Sequence, residues 1–437
     1  MKSIKISLAV AASALLMSAP AMAFHDGGVA SCESCHSMHN SFENASMPGG
    51  AGLTGSKTAG TVLTGGVYLL QGGGKQSDAC LNCHEVQGDG GANGYHISTA
   101  AADLNADLTQ ATAYPKQMGP GGDFAWLKVA TGTAAQQSHR GHNIGGTAHG
   151  YAFDTLNTTA PGGLYPATEL HCSSCHDPHG KFRRDESGTV STSGAAIAGS
   201  GSYSTDTNSV GGKTVGVYRL LAGAGYQPKS ASVAFGSYPP PMAVAPATYN
   251  RTENDVTKLT RVAYGKGMSE WCSNCHTNLL SNGYVSGNAG AVAGNGHATH
   301  PAGNTATMPA AIQANYNGYL GTGVTPGAGK YDSLVPFEEG GAVTYATLRS
   351  HATIDGSVTT GPDASSTVMC LSCHRAHASG FQSMTRYDVS GNVTVDDGSY
   401  STFADVAAMK LAAYYQRPAS AWVASQRALC NKCHAKD

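Results

Sequence analysis

Charged side chains are scarce in this chain. Asp, Glu, Lys and Arg make up 12% of its 437 residues, where about a quarter is usual. The formal net charge is −2, so the basic surface that nucleic acid demands is missing and no nucleic-acid partner is expected. Apolar runs long enough to cross a bilayer are also missing once the first residues are set aside, so no membrane span is expected. Long amphipathic helical patterns are nearly absent. No cysteine stands outside a CxxCH pentapeptide, and disulfides within CxxC would close loops too small to stabilise much.

What the chain does contain is six such pentapeptides: Cys32-Cys35-His36, Cys80-Cys83-His84, Cys172-Cys175-His176, Cys272-Cys275-His276, Cys370-Cys373-His374 and Cys430-Cys433-His434. CxxCH attaches haem c through two thioethers, and its histidine ligates the iron. On one helical turn, positions i, i+3 and i+4 share a face, so a single short turn presents all three groups. Histidine is 18 of 437 residues, so six coincidences have odds on the order of one in 10^8. A zinc knuckle needs two CxxC pairs per metal and no histidine after each, and a redox dithiol needs one pair. The sequence therefore predicts six covalently attached haems c.

The amino terminus reads as a signal peptide over 1–23. Lys2 and Lys5 precede the apolar stretch from Ile6 to Met17, and Ala21-Met22-Ala23 forms a small-residue cleavage site. The remainder, 24–437, is expected to be a single hexahaem cytochrome domain. Without the two signal lysines, 24 basic residues face 28 acidic ones, and haem propionates add further negative charge. Glycine is 57 of 437 residues, about twice its usual share. Segments such as Pro48–Lys75, Thr189–Gly212 and Ser281–Gly329 would read as loops or disorder alone. The fold class expected is thus a multihaem cytochrome c, mostly coil and turns with a few short helices and very little strand, wrapped around a chain of six haems. The best helix candidates are Thr402–Gln416 and Ala421–His434. Apart from the motif itself, no self-similar unit stands out. Motifs near both chain ends suit a conductor that passes electrons through itself.

Twelve histidines remain after the six proximal ones, enough to give every iron a second imidazole. His39, His179 and His377 recur three residues after a proximal histidine (CHSMH, CHDPH, CHRAH), where each can reach a neighbouring haem. His171 precedes the third motif. His142, His300, His351 and His96 are further distal candidates. His139, His149 and His297 look less committed, and His25 lies where a chain end frays. No methionine recurs near the motifs as a potential-raising substitute. Filled axial positions, and the absence of a CxxCK variant, favour electron transfer over catalysis.

The stretches Thr159–Arg184, Thr260–Thr277, Cys370–Arg386 and Arg427–Asp437 resemble the outer-surface hexahaem cytochromes of iron-reducing bacteria that polymerise into nanowire filaments. The similarity runs the length of the chain and is weakest at 187–215, 281–330 and 388–410. The resemblance implies six bis-histidine haems and protomers joined head to tail in an extracellular filament. It also implies that His39 ligates the iron held by Cys370, Cys373 and His374 of the adjacent protomer. Export through the periplasm to the outer surface would follow, with metal oxides, electrodes or other redox cytochromes as electron partners. A discrete secreted metal reductase and a soluble periplasmic shuttle are the alternatives.

Overall fold

A computed structural model describes residues 75–86, 95–104, 114–129, 139–193, 197–206, 214–228, 231–246, 260–281, 300–319, 331–396, 398–400, 407–422 and 425–434, with Cys32, Cys35, His36, Ser41, Phe42, Ala45, Ser46, Leu70 and Glu253. Among these, the α-helices are Gln76–His84 (α1), Cys172–Cys175 (α2), Met268–Cys272 (α3), Thr277–Ser281 (α4), Ala310–Gly318 (α5), Tyr345–His351 (α6), Cys370–Cys373 (α7) and Ala407–Ala413 (α8). None is long and apolar enough to cross a membrane. Strands are two or three residues long. The largest described sheet joins Val190–Ser191, Arg183–Arg184, Thr214–Gly216 and Ile197–Gly199 in that order. Few short helices, little strand and much coil match the expected class.

One expected helix is corrected. Between Ala421 and His434 the described chain is extended except for a 3-10 turn at Leu429–Lys432. Arg427 pairs with Val393 in an antiparallel bridge, and Ser425 turns through φ 52°. Strand pairing outcompetes local helix propensity there. Of Thr402–Gln416, the helix occupies Ala407–Ala413, and 401–406 lie outside the described residues.

The described core is not left to cofactor alone. Tyr114, Trp126, Tyr316, Leu334, Phe337, Phe381 and Tyr414 are buried together. Phe381 meets Tyr414 edge-on at 4.9 Å between ring centres, and Tyr316 meets Phe337 at 5.5 Å, the offset geometry aromatic pairs prefer.

The structure also reveals a repeat that the sequence did not announce. α1 packs on α2, and α3 packs on α7. Ser77 Oγ accepts the Cys172 N–H at 3.1 Å, and Ser269 Oγ accepts the Cys370 N–H at 3.0 Å. Inside the next turn, Ser174 Oγ accepts the His171 N–H at 3.0 Å, and Ser372 Oγ accepts the Met369 N–H at 3.1 Å. The second and third motifs thus join by the same capping chemistry as the fourth and fifth.

Candidate functional site

Every motif folds as the predicted turn. The proximal histidine N–H donates to the carbonyl of the first cysteine at 2.9 Å for His36 and 3.0 Å for His176, His276, His374 and His434, and α1 carries Cys80, Cys83 and His84 within one helix. Both thiols and the imidazole therefore project from one face.

The turns line up in chain order. The Cys35 thiol lies within electrostatic reach of Cys83, and Cys80 is in hydrogen-bond contact with Cys172. Cys175 then faces Cys275, Cys272 contacts Cys370, and Cys373 faces Cys430. Ten of the twelve thiols thus pair between successive motifs, from the first to the sixth. Burial pushes Cys275 and Cys433 up to about 12, while a hydrogen bond from Cys272 holds Cys370 down to about 7. Among the described residues, no three His, Cys, Asp or Glu side chains are grouped to hold a metal ion by themselves.

Imidazoles face each other in pairs. His36 and His179 are 6.3 Å apart between ring centres, His176 and His377 6.4 Å, His142 and His276 6.2 Å, and His300 and His434 6.0 Å. Each pair holds one proximal and one spare histidine. A metal–nitrogen bond of about 2 Å on each side, plus about 1.1 Å from nitrogen to ring centre, gives a separation of about 6.2 Å. These residues fit a bis-histidine iron.

Second partners fix the ligand nitrogens. Nδ1–H donates to Tyr95 O from His84 at 2.6 Å, to Arg219 O from His176 at 2.7 Å, to Pro161 O from His276 at 2.8 Å and to Ser383 O from His374 at 2.7 Å. His142 Nδ1 reaches Ala376 O at 2.7 Å, and His300 Nδ1 reaches Pro301 O at 2.8 Å. With Nδ1 committed, Nε2 keeps its lone pair for metal. Burial pulls His276 down to about 4 and His377 down to about 3, so both are neutral and ligand-competent near pH 7.

Two of these acceptor carbonyls, Arg219 and Ser383, were invisible in the sequence because they sit on left-handed turns without glycine. Arg219 and Leu220 take φ 51° and 52°, and Ser383 and Met384 take φ 54° and 59°. Such left-handed non-glycine residues cost of order 1 kcal/mol or more each and cluster at functional sites. Here each turn aims a carbonyl at a proximal imidazole.

The remaining candidates make the following contacts. His171 Nδ1 bonds Gly145 O at 2.9 Å, His351 Nδ1 bonds Glu339 Oε2 at 2.6 Å, and His96 is buried against the Tyr95 ring. His149, which the sequence left uncommitted, contacts Glu85 beside His84, and Lys128 Nζ donates to the same carboxylate at 2.6 Å. His25, His39 and His297 lie outside the described residues.

No family model matches the chain. It is 50% identical to the C-type cytochrome OmcS of Geobacter sulfurreducens over the full length of both proteins. Two solved structures, the cryo-EM structure of the OmcS nanowires and the Outer Membrane Cytochrome S filament from the same organism, each match with a TM-score of 0.79 and 47% identity, covering 95% of this chain and 100% of theirs. With thiol pairs and imidazoles arranged for covalently held haem, the chain belongs to the family of OmcS-like c-type cytochromes.

Proposed function

We infer that this protein polymerises outside the cell into a filament that carries electrons through six bis-histidine haems c. The observation that carries the reading is the set of four imidazole pairs at iron-spanning distance along an ordered thiol ladder. Bound haem supplies a one-electron iron couple and a flat conjugated edge from which charge hops to the next. The chain's own residues do the rest. The cysteines fix where each porphyrin edge lies, and the carbonyl-anchored imidazoles hold both axial positions. Filled axial positions leave no place for substrate, which supports an electron-transfer role over an enzymatic one. The filament-forming relatives favour this over a discrete metal reductase or a soluble shuttle.

The pairs follow a rule that extends to the two remaining haems. His179, from the third motif's turn, faces the first motif's histidine, and His377, from the fifth, faces the third's. The same step of two carries His39, in the first turn, to the fifth haem of the preceding protomer. Even-numbered haems follow a second rule. His142 precedes the third motif and faces His276, while His300 precedes the fifth and faces His434. By that rule His25, just before the first motif, serves the haem at His84. A coordinate bond across a head-to-tail contact that does not close would propagate a helical fibre. Residues 1–23 would be removed during export, leaving 24–437 as one cytochrome domain at the outer surface.

Electron microscopy and optical spectra of the secreted fraction test this. Fibres with purely low-spin iron are expected. Dispersed monomers, or a high-spin band in the native material, would contradict it.

A further inference from the structure

The third and fifth motifs fold as one repeated turn, yet the residue after the proximal histidine reverses its charge between them. After His176 stands Asp177, whose carboxylate accepts the His179 and Lys181 N–H groups at 3.0 and 2.7 Å. After His374 stands Arg375, its side chain only 1% exposed and ion-paired with Glu253. The residues following the six proximal histidines are Ser37, Glu85, Asp177, Thr277, Arg375 and Ala435. The fifth motif alone places a cation there.

Arg375 does not act singly. Arg386 lies behind the same turn, where Nε donates to Leu371 O at 2.7 Å and to His374 O at 3.1 Å, and Nη1 pairs with Glu253 Oε2 at 3.2 Å. Arg417 Nη2 donates to Glu253 O at 2.7 Å and to Ser333 Oγ at 2.9 Å. All three guanidinium side chains are buried; Arg375 and Arg386 share the Glu253 carboxylate, and Arg417 binds the same residue through its main-chain carbonyl. Lys432, inside the sixth motif, adds another buried cation, while Asp332 is the further buried acid in reach of Arg417 and Lys432. Among the described residues, the three guanidinium groups therefore meet two acids. In a low-dielectric interior, nearby positive charge stabilises an added electron far more than it would in water, and propionates are common to all six haems, so the local guanidinium groups set this one apart.

We propose that this buried arginine cluster gives the haem held by Cys370, Cys373 and His374 the highest reduction potential of the six. An electron entering the protomer would then rest at the haem that His39 of the neighbouring copy completes. Reducing that iron from Fe(III) to Fe(II) takes one electron from the adjacent haem and needs no proton. The inference rests on the bis-histidine haem reading above.

Potentiometric titration of the holoprotein filaments, followed optically and by electron paramagnetic resonance, tests it. Glu253→Gln removes the shared negative charge and should raise the highest of the six midpoints. Arg417→Gln should lower that same midpoint, and Arg386→Lys, which keeps the charge, should leave it near wild type. The other five midpoints should stay in place. Either of the first two substitutions alone decides the matter. A highest midpoint that does not move, or six midpoints that move together, overturns the proposal. Mass spectrometry of the denatured chains counts haems separately: six in the wild type keeps the underlying reading intact whichever way the midpoint behaves, and fewer removes it.

Discussion

His142 and His377 are held together by their backbones: the His142 N–H donates to the His377 carbonyl at 2.9 Å, and Gly141 bridges Ala378 in an antiparallel pair. One imidazole faces His276 and the other His176. A two-residue strand contact thus sets the placement of two imidazoles that face the proximal histidines of successive motifs.

Substitution of Gly141 should therefore be felt at both. A Cβ there would meet the Ala378 Cβ at 2.5 Å and the His377 carbonyl at 2.7 Å, contacts only a backbone shift can relieve. Gly141→Val is expected to cost about 1–3 kcal/mol through overpacking and to perturb two low-spin resonance signals, leaving the other four unchanged. A variant in which all six signals match wild type would refute the coupling.

The His39→Ala protein should keep six covalent haems but show one five-coordinate, high-spin iron and form no fibres. His25→Ala should also yield one high-spin iron, yet its fibres should persist, because the proposed rule assigns that histidine to a haem of its own chain. Resonance Raman spectra and electron micrographs separate the two outcomes. Normal low-spin fibres from His39→Ala would remove the cross-protomer ligand.

Glu253 offers a stability test. Burial alone would raise its pKa, but Arg375 and Arg386 hold it below the usual carboxylate range. Truncation to alanine leaves buried guanidinium groups uncompensated, and loss of one partner of a buried pair typically costs about 3–5 kcal/mol. A denaturant midpoint within error of wild type would show that the arginines re-pair elsewhere.

Acid should weaken the fold through its histidines. Burial lowers His142, His176, His276, His374 and His377, so the native state binds fewer protons than the unfolded chain below the unperturbed value of about 6.5. Stability therefore rises with pH across this window and falls as pH drops from about 6.5 toward the native values, about 4 for His276 and about 3 for His377. Denaturant midpoints measured down this range should decline while high-spin bands grow. A flat or rising profile would contradict the assignment.

The local turns of the six CxxCH motifs were legible in the sequence, because CxxCH imposes its own local geometry. The pairing of His179 and His377 with first and third motifs was not, since sequence spacing says nothing about which turn lies across from which. Ser77 and Ser269, each three residues before a motif cysteine, carried a readable S-x-x-C pattern. It gained meaning only when both serines were seen capping the next motif. The turns at Arg219 and Ser383 had no readable signal, because tertiary context, not a glycine, holds their left-handed backbone. The buried arginine cluster was equally hidden, assembled from residues 253, 375, 386 and 417 across distant parts of the chain.

The ladder of neighbouring thiols has one rung for each successive motif and no rung that skips ahead among those described. Such a layout behaves as a series circuit. Among the described contacts, losing any one link opens the line, so resilience has to come from laying many fibres in parallel.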